Sequence, residues 1–167
     1  MILIGVGANL PSLRGSPRAT CQAALIELER RDIAIARKSR WYESAPIPPS
    51  DQPWFVNGVA AVVTALSPHA LLTLLHDIER AFGRIRGAPN AARTLDLDLL
   101  AYHDTVLAEP GGLILPHPRM MERAFVLLPL AEIAPEWRHP VARATAADLA
   151  GRLPKSWECR PIASTST

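Results

Sequence analysis

Apolar residues along this chain recur with two different periods, and the change from one to the other marks its elements. MILIGV is a short apolar run with β-branched character, and the GANL after it is a turn signal, which predicts a strand and then a loop. Ser16-Pro17 offers an N-cap with proline at the first helical position, and Cys21, Ala24, Leu25 and Leu28 recur at i, i+3, i+4 and i+7. That spacing predicts an amphipathic helix ending near Arg31. Residues 33–44, IAIARKSRWYES, alternate apolar and polar at first and carry aromatic side chains, as a half-buried strand does. APIPPSDQP, with four prolines in nine residues, cannot continue it, because each ring fixes φ and removes an N–H donor. It reads as an ordered, extended loop.

FVNGVAAVVTA, residues 55–65, is the next strand, and Ser67-Pro68 repeats the helix-start device. Leu71, Leu75, Ile78 and Phe82 form the buried stripe of a second helix, which Gly83 stops. After GRIRGAPNAAR come a strand through Tyr102, a turn at His103-Asp104 and a short strand around Val106. LILPHPRMMERAFVLLPLAEIAP then predicts a strand, a proline-bounded turn and a third helix, and Thr145 to Asp148 caps a last one. The order β-α-β-β-α-β, with elements added behind it, describes an α+β domain whose helices cover a largely antiparallel sheet.

Composition narrows the picture. At 167 residues, 49% hydrophobic and 20% charged, the chain fits one domain, taken as residues 1–160 with a frayed, disordered tail over 161–167. A domain of this size buries roughly 70% of the surface its unfolded chain exposes, enough to fold without staples. Cys21 and Cys159 stand alone, with no metal-ligand spacing, and read as reduced residues. The opening apolar run lacks a basic flank, and no later run reaches about 18 residues, so we expect a cytoplasmic protein without a membrane partner. A charge of +2 is too small to require nucleic acid and compatible with a phosphate-rich small ligand.

Candidate chemistry centres on RTLDLDLL, residues 93–100. In a strand Asp96 and Asp98 share one face while Leu95, Leu97 and Leu99 share the other. Two converging carboxylates raise each other's pKa unless a cation sits between them, and hard oxygen ligands suit Mg²⁺, which commonly takes one or two carboxylates plus substrate phosphates. An antiparallel strand with one wet face gives the same pattern without any function, and the pair alone does not choose. Its surroundings bear on the choice. Between Glu79 and Asp96 there is no acidic residue, but Arg80, Arg84, Arg86 and Arg93 are there. Guanidinium forks bind phosphate and neutralise charge on a transferring phosphoryl group, although a solvated basic loop has the same composition. His76 and Glu79 lie off the buried stripe of the second helix, and His117, Arg119 and Arg123 follow a strand end and open a helix.

Five motifs in order, QPWFVN (52–57), LHDIERAFGR (75–84), RTLDLDLL (93–100), LPHPRMMERAFVLLPL (115–130) and EIAP (132–135), resemble the hydroxymethyl-dihydropterin pyrophosphokinase family of folate biosynthesis. The resemblance runs from the first strand to about residue 140. It implies a ferredoxin-like α+β fold with about six strands, and transfer of the β,γ-diphosphate of ATP to the pterin's hydroxymethyl oxygen with release of AMP. By position, it implies that Asp96 and Asp98 bind two Mg²⁺ ions and that Arg84 and Arg93 stabilise the diphosphate in transfer. His76, Glu79, Arg86, His117, Arg119 and Arg123 would lie on the ATP side. Asn57 would hydrogen-bond the pterin, Phe55 and Phe125 would stack on it, and the backbone of Ser44, Ala45 and Ile47 would read its edge. One stretch departs from the family: the loop before Arg93 reads APNAA where members carry a tryptophan in RWGP, so a looser closed site is expected. The partners implied are ATP and the pterin, acting on a monomer. Two rival readings remain at this point: a homologue that binds ATP or pterin with weakened turnover, and a ferredoxin-like RNA-binding module. The second lacks the aromatic pattern such modules use to stack bases.

Overall fold

The computed structural model of the chain describes residues 1–84 and 92–164. Strand β1 (Ile2–Ala8) runs through the middle of a six-stranded sheet, flanked by β4 (Phe55–Val63) and β5 (Asp96–Tyr102), both antiparallel to it. The far edge of β4 is shared, with β2 (Ala34–Lys38) on residues 60–63 and β3 (Tyr42–Ser44) on residues 55–57. The single strand expected over residues 33–44 is therefore two. Between them Ser39 bonds Val59 twice, its N–H to the carbonyl and its Oγ from the amide, and the chain turns there while still held to β4. β6 (Leu107–Ala108) and β7 (Ile114–Leu115) form a separate two-stranded ribbon.

The C-terminal part corrects another expectation. Pro161, placed at the start of a disordered tail, instead ends β8 (Cys159–Pro161), which pairs with β3 as the sheet's sixth strand. Ile162 N then donates to Trp41 O at 2.8 Å. The open edge of β3 offers backbone partners that a fraying tail would leave unused.

Helices α1 (Pro17–Arg30) and α2 (Pro68–Ala81) begin as their Ser-Pro signals predict. Ser16 Oγ accepts from Ala19 N and Ser67 Oγ from Ala70 N, each at 3.2 Å. Both pack on one face of the sheet, where Cys21, Leu28, Leu71 and Leu75 meet Ile2, Ile4 and Val6 of β1 and Leu97 and Leu99 of β5. On the opposite face a tight turn (Met120–Glu122) leads into α3 (Ala124–Ile133), and α4 (Ala146–Gly151) packs beside it. Leu3, Val59, Ala61, Met120, Val126 and Leu130 make that second core. A β-bulge changes the register of β5: Ile4 pairs with Leu99 but Leu3 with Ala101. The extra residue lets Leu100 and Ala101 both reach the α3 side.

The two kinds of support differ in size. Leu75→Ala, which empties part of the α2 core, should cost about 2–5 kcal/mol in urea unfolding. Ser67→Ala, which removes a cap, should cost about 1 kcal/mol.

Candidate active site

Leu95, Leu97 and Leu99 bury toward α2, so Asp96 and Asp98 emerge on the α3 side of the sheet. Two rows of residues cross the strands there. Gly7 lies between Asn57 and Asp96, and Gly5 between Val59 and Asp98. Without side chains at 5 and 7 the middle of the sheet is a furrow, with the amide of Asn57 on one wall and the carboxylates on the other. A Cβ added to Gly7 would sit 2.5 Å from Asn57 Oδ1, closer than any real contact allows. Asn57 Nδ2 donates to Ser44 Oγ at 2.9 Å, which fixes the amide against β3.

The carboxylates are not bare. Arg84 Nη1 lies 2.6 Å from Asp96 Oδ1, and Arg93 Nη1 lies 2.9 Å from Asp96 Oδ2, so each oxygen holds one guanidinium. Arg123 Nη1 stands 3.5 Å from Asp98 Oδ2. Burial, and after it the Asp96 charge, push Asp98 up to about 7 against the opposing pull of Arg123. Burial lowers Arg84, but the charges of Asp96 and Glu79 outweigh it and hold Arg84 above its ordinary value. Burial wins at Arg123, which is lowered despite Asp98. Two hard carboxylates, one with its pKa raised by burial and then by the other's charge, form a donor set that a divalent cation would relieve. Among the described residues no group of three or more His, Cys, Asp or Glu side chains gathers to hold a metal unaided. The fit is to a cation sharing its shell with a ligand's oxygens.

Glu79 departs from its expected place on an open helix flank. Its residue is only 3% exposed, and its Oε1 accepts from Leu97 N at 2.8 Å and faces Arg84 Nη1 at 2.7 Å. It clips the last turn of α2 to β5 and holds Arg84 from behind. Arg80 instead pairs with Asp77 on the exposed side of α2.

Two cavities meet at Asp96. The first, about 270 Å³, lies beneath the proline-rich loop and is lined by Ser44, Ala45, Ile47, Phe55, Asn57 and Phe125, with Arg93, Asp96 and Arg123 at its inner end. All six residues expected on the pterin side thus gather in one place. Ala45 has its N–H committed to Glu158 O at 3.1 Å. The second cavity, about 320 Å³, is lined by His76, Glu79, Arg84, Asp96, Asp98 and His117 among others. Burial, then the nearby Arg123 charge, lower His117 to about 4. Two of the residues expected together with His76, Glu79 and His117 do not line this cavity. Arg123 lines the first cavity, not the second. Arg119, exposed ahead of the turn that buries Met120, lines a third cavity with Ile47, Glu122 and Trp157. Arg86 and the APNA part of the loop that departs from the family lie outside the described residues.

Sequence reasoning missed two residues. Gly7 is one, although G-x-G within a β-branched run signals a close approach. The other is the buried Asn9. Its Nδ2 donates to Gln52 Oε1 and Pro53 O, both at 3.1 Å, and its Oδ1 accepts from Arg93 N at 2.9 Å. It ties the end of the proline-rich loop to the segment that carries Arg93, and an asparagine after a strand gives no hint of this.

Residues 3–135 match the family model described as 7,8-dihydro-6-hydroxymethylpterin-pyrophosphokinase (HPPK). The chain belongs to this family. Two proteins named 2-amino-4-hydroxy-6-hydroxymethyldihydropteridine pyrophosphokinase, from Synechocystis sp. and Pseudomonas aeruginosa, are each 44% identical to it, over 139 and 143 residues. Those alignments cover 83% and 85% of this chain, and 68% and 85% of the relatives. A crystal structure of Plasmodium falciparum HPPK-DHPS with pteroate superposes at a TM-score of 0.70 over 90% of this chain and 42% of that longer one. At 14% identity this likeness speaks for the HPPK fold alone. All five motifs lie within the residues matched to HPPK.

Gly7→Ala should destabilise the protein by about 1–3 kcal/mol because Asn57 must move, whereas Gly151→Ala, where a Cβ meets nothing, should be near neutral in the same unfolding assay. The His117 ring should titrate near 4 by NMR. Its folded value lies below the ordinary 6.5, so its contribution to stability is complete above pH 6.5 and lost as pH falls toward 4. A midpoint at the ordinary value would mean that the ring is solvated.

Proposed function

We propose that the first cavity takes the pterin and the second takes ATP, so that the phosphate chain crosses between them at Asp96. The reaction is that of the HPPK family: pyrophosphate transfer from ATP to hydroxymethyldihydropterin in folate biosynthesis. The single observation that carries the assignment is that Asp96 lines both cavities with an arginine on each of its oxygens. A cavity of about 270 Å³ with two phenylalanines and one buried amide suits a flat heterocycle that stacks and hydrogen-bonds. Asn57, held by Ser44, supplies the polar contact, and Phe55 and Phe125 the stacking faces.

The pterin's hydroxymethyl oxygen attacks the β-phosphorus of ATP. The bond from that phosphorus to the oxygen bridging it to the α-phosphate breaks, AMP departs with that oxygen, and the hydroxyl proton is released. Because phosphoryl transfer needs alignment and charge neutralisation more than covalent help, the chain's work is positioning and electrostatics. Arg84 and Arg93, already paired with a carboxylate, can exchange that partner for phosphate oxygens at small cost. Glu79 keeps Arg84 in place during the exchange. Asp96 and Asp98 would hold Mg²⁺, proposed as two ions, which when bound offsets the charge of the triphosphate. His76 and His117 line the ATP side, and a neutral His117, whose Nδ1 accepts from Arg119 N at 3.1 Å, keeps its Nε2–H to donate there without a charge of its own.

We read the chain as a single catalytic domain working as a cytoplasmic monomer on these two small molecules, without nucleic acid. Among the described residues no helix is long and apolar enough to cross a membrane. Against the RNA-binding alternative stand the family match and α3, which packs on the sheet face such a module would need open.

The test is turnover of ATP and hydroxymethyldihydropterin with Mg²⁺, read as AMP and diphosphorylated pterin. Asp96→Asn and Asp98→Asn should each lower the rate by ~10³-fold or more, several kcal/mol at ~1.4 kcal/mol per decade. Near-wild-type rates in both variants would sink the metal assignment. Arg93→Ala should lower kcat more than it raises the KM for ATP, and an effect confined to KM would move Arg93 to ground-state binding.

A further inference from the structure

The family match ends at residue 135, yet a later segment stands against the first cavity. β8 pairs with β3, Ser44 opposite Cys159 and Tyr42 opposite Pro161, and Arg160 Nε reaches Glu43 Oε1 at 2.5 Å across the pair. β3 has only three residues, and a strand that short holds its place poorly from one edge. β8 secures the second edge. It thereby steadies Ser44, whose Oγ fixes the Asn57 amide, and Glu158 O takes the Ala45 N–H where the proline-rich loop begins.

Trp157 precedes these contacts. It is half-buried and lines the third cavity, about 370 Å³, together with Ile47, Phe125, Arg119 and Arg123. The first and third cavities share Ile47, Phe125 and Arg123, which makes those residues the partition between them, and Trp157 is part of the third cavity's wall. Ile47 is 53% exposed, so its position depends on what backs it. An indole is large and rigid, and holds such a partition at little conformational cost. The second cavity receives no residue from this segment.

We propose that residues 157–162 are part of the pterin site and that Trp157 is its positioning residue, acting through Ile47 and Phe125 to set the slot in which the ring lies. This rests on the pterin reading of the first cavity. The segment acts on pterin affinity and not on ATP, because its contacts end at the rim.

Trp157→Ala should weaken pterin binding, by calorimetry and by KM, about tenfold, while kcat and the KM for ATP stay within about twofold. Trp157→Phe should recover most of the loss, and exchange of the Ala45 amide should quicken in the alanine variant. Trp157→Leu is measured alongside, so a poorly folding alanine variant still leaves a decisive comparison. Unchanged pterin affinity, or both substrates weakening together with a lowered Tm, would overturn the proposal. A wild-type protein that binds no pterin would overturn the functional reading itself, a different result from wild-type binding that the variants leave untouched.

Discussion

Burial of Leu95, Leu97 and Leu99 against α2 decides where the two carboxylates of β5 point, and most of the site follows from it. A strand cannot send one set of alternate residues into the core without sending the other set to the opposite face. Asp96 and Asp98 therefore emerge beside α3, partly out of water, where charge has to be compensated. Arg84, Arg93 and Arg123 supply that compensation from three different parts of the chain.

The same constraint shapes the neighbouring strands. A furrow beside Asp96 and Asp98 exists because Gly5 and Gly7 occupy the facing positions of β1, and Asn57 stands on its far wall because β4 pairs in register with Gly7. Supports converge on this furrow from behind. Glu79 joins α2 to β5 and Arg84, and Asn9 joins the proline-rich loop to Arg93. Neither needs to touch a substrate to matter, since each restricts where an arginine can go. Rigid support of this kind lets a site neutralise developing charge without reorganising.

Much of the fold was legible because its signals are local. Ser-Pro caps, the stripe Leu71/Leu75/Ile78 and the alternation of β5 depend on near neighbours in the chain, and the helices and strands formed where those signals stand. The expected strand over residues 33–44 divided, because β4 is long enough to pair with two short strands and the turn at Ser39 is held from across the sheet. Pro161 is a related case: a proline near a terminus gives no local reason for order, and its partner, Tyr42, lies far away in sequence.

By itself the sequence determined the helices and the strands with local signals, the face that Asp96 and Asp98 share, the family motifs and the residue types able to handle phosphate. Periodicity and motif order are properties of neighbours along the chain, and they survive reading in one dimension. Tertiary structure alone decided that Asp96 lines two cavities, that Arg123 turns to Asp98 while Arg119 does not join it, that Glu79 is an internal clip, and that Gly7, Asn9 and Trp157 belong near the site. Those are matters of register and packing between distant segments, which pairing fixes only once the sheet has closed.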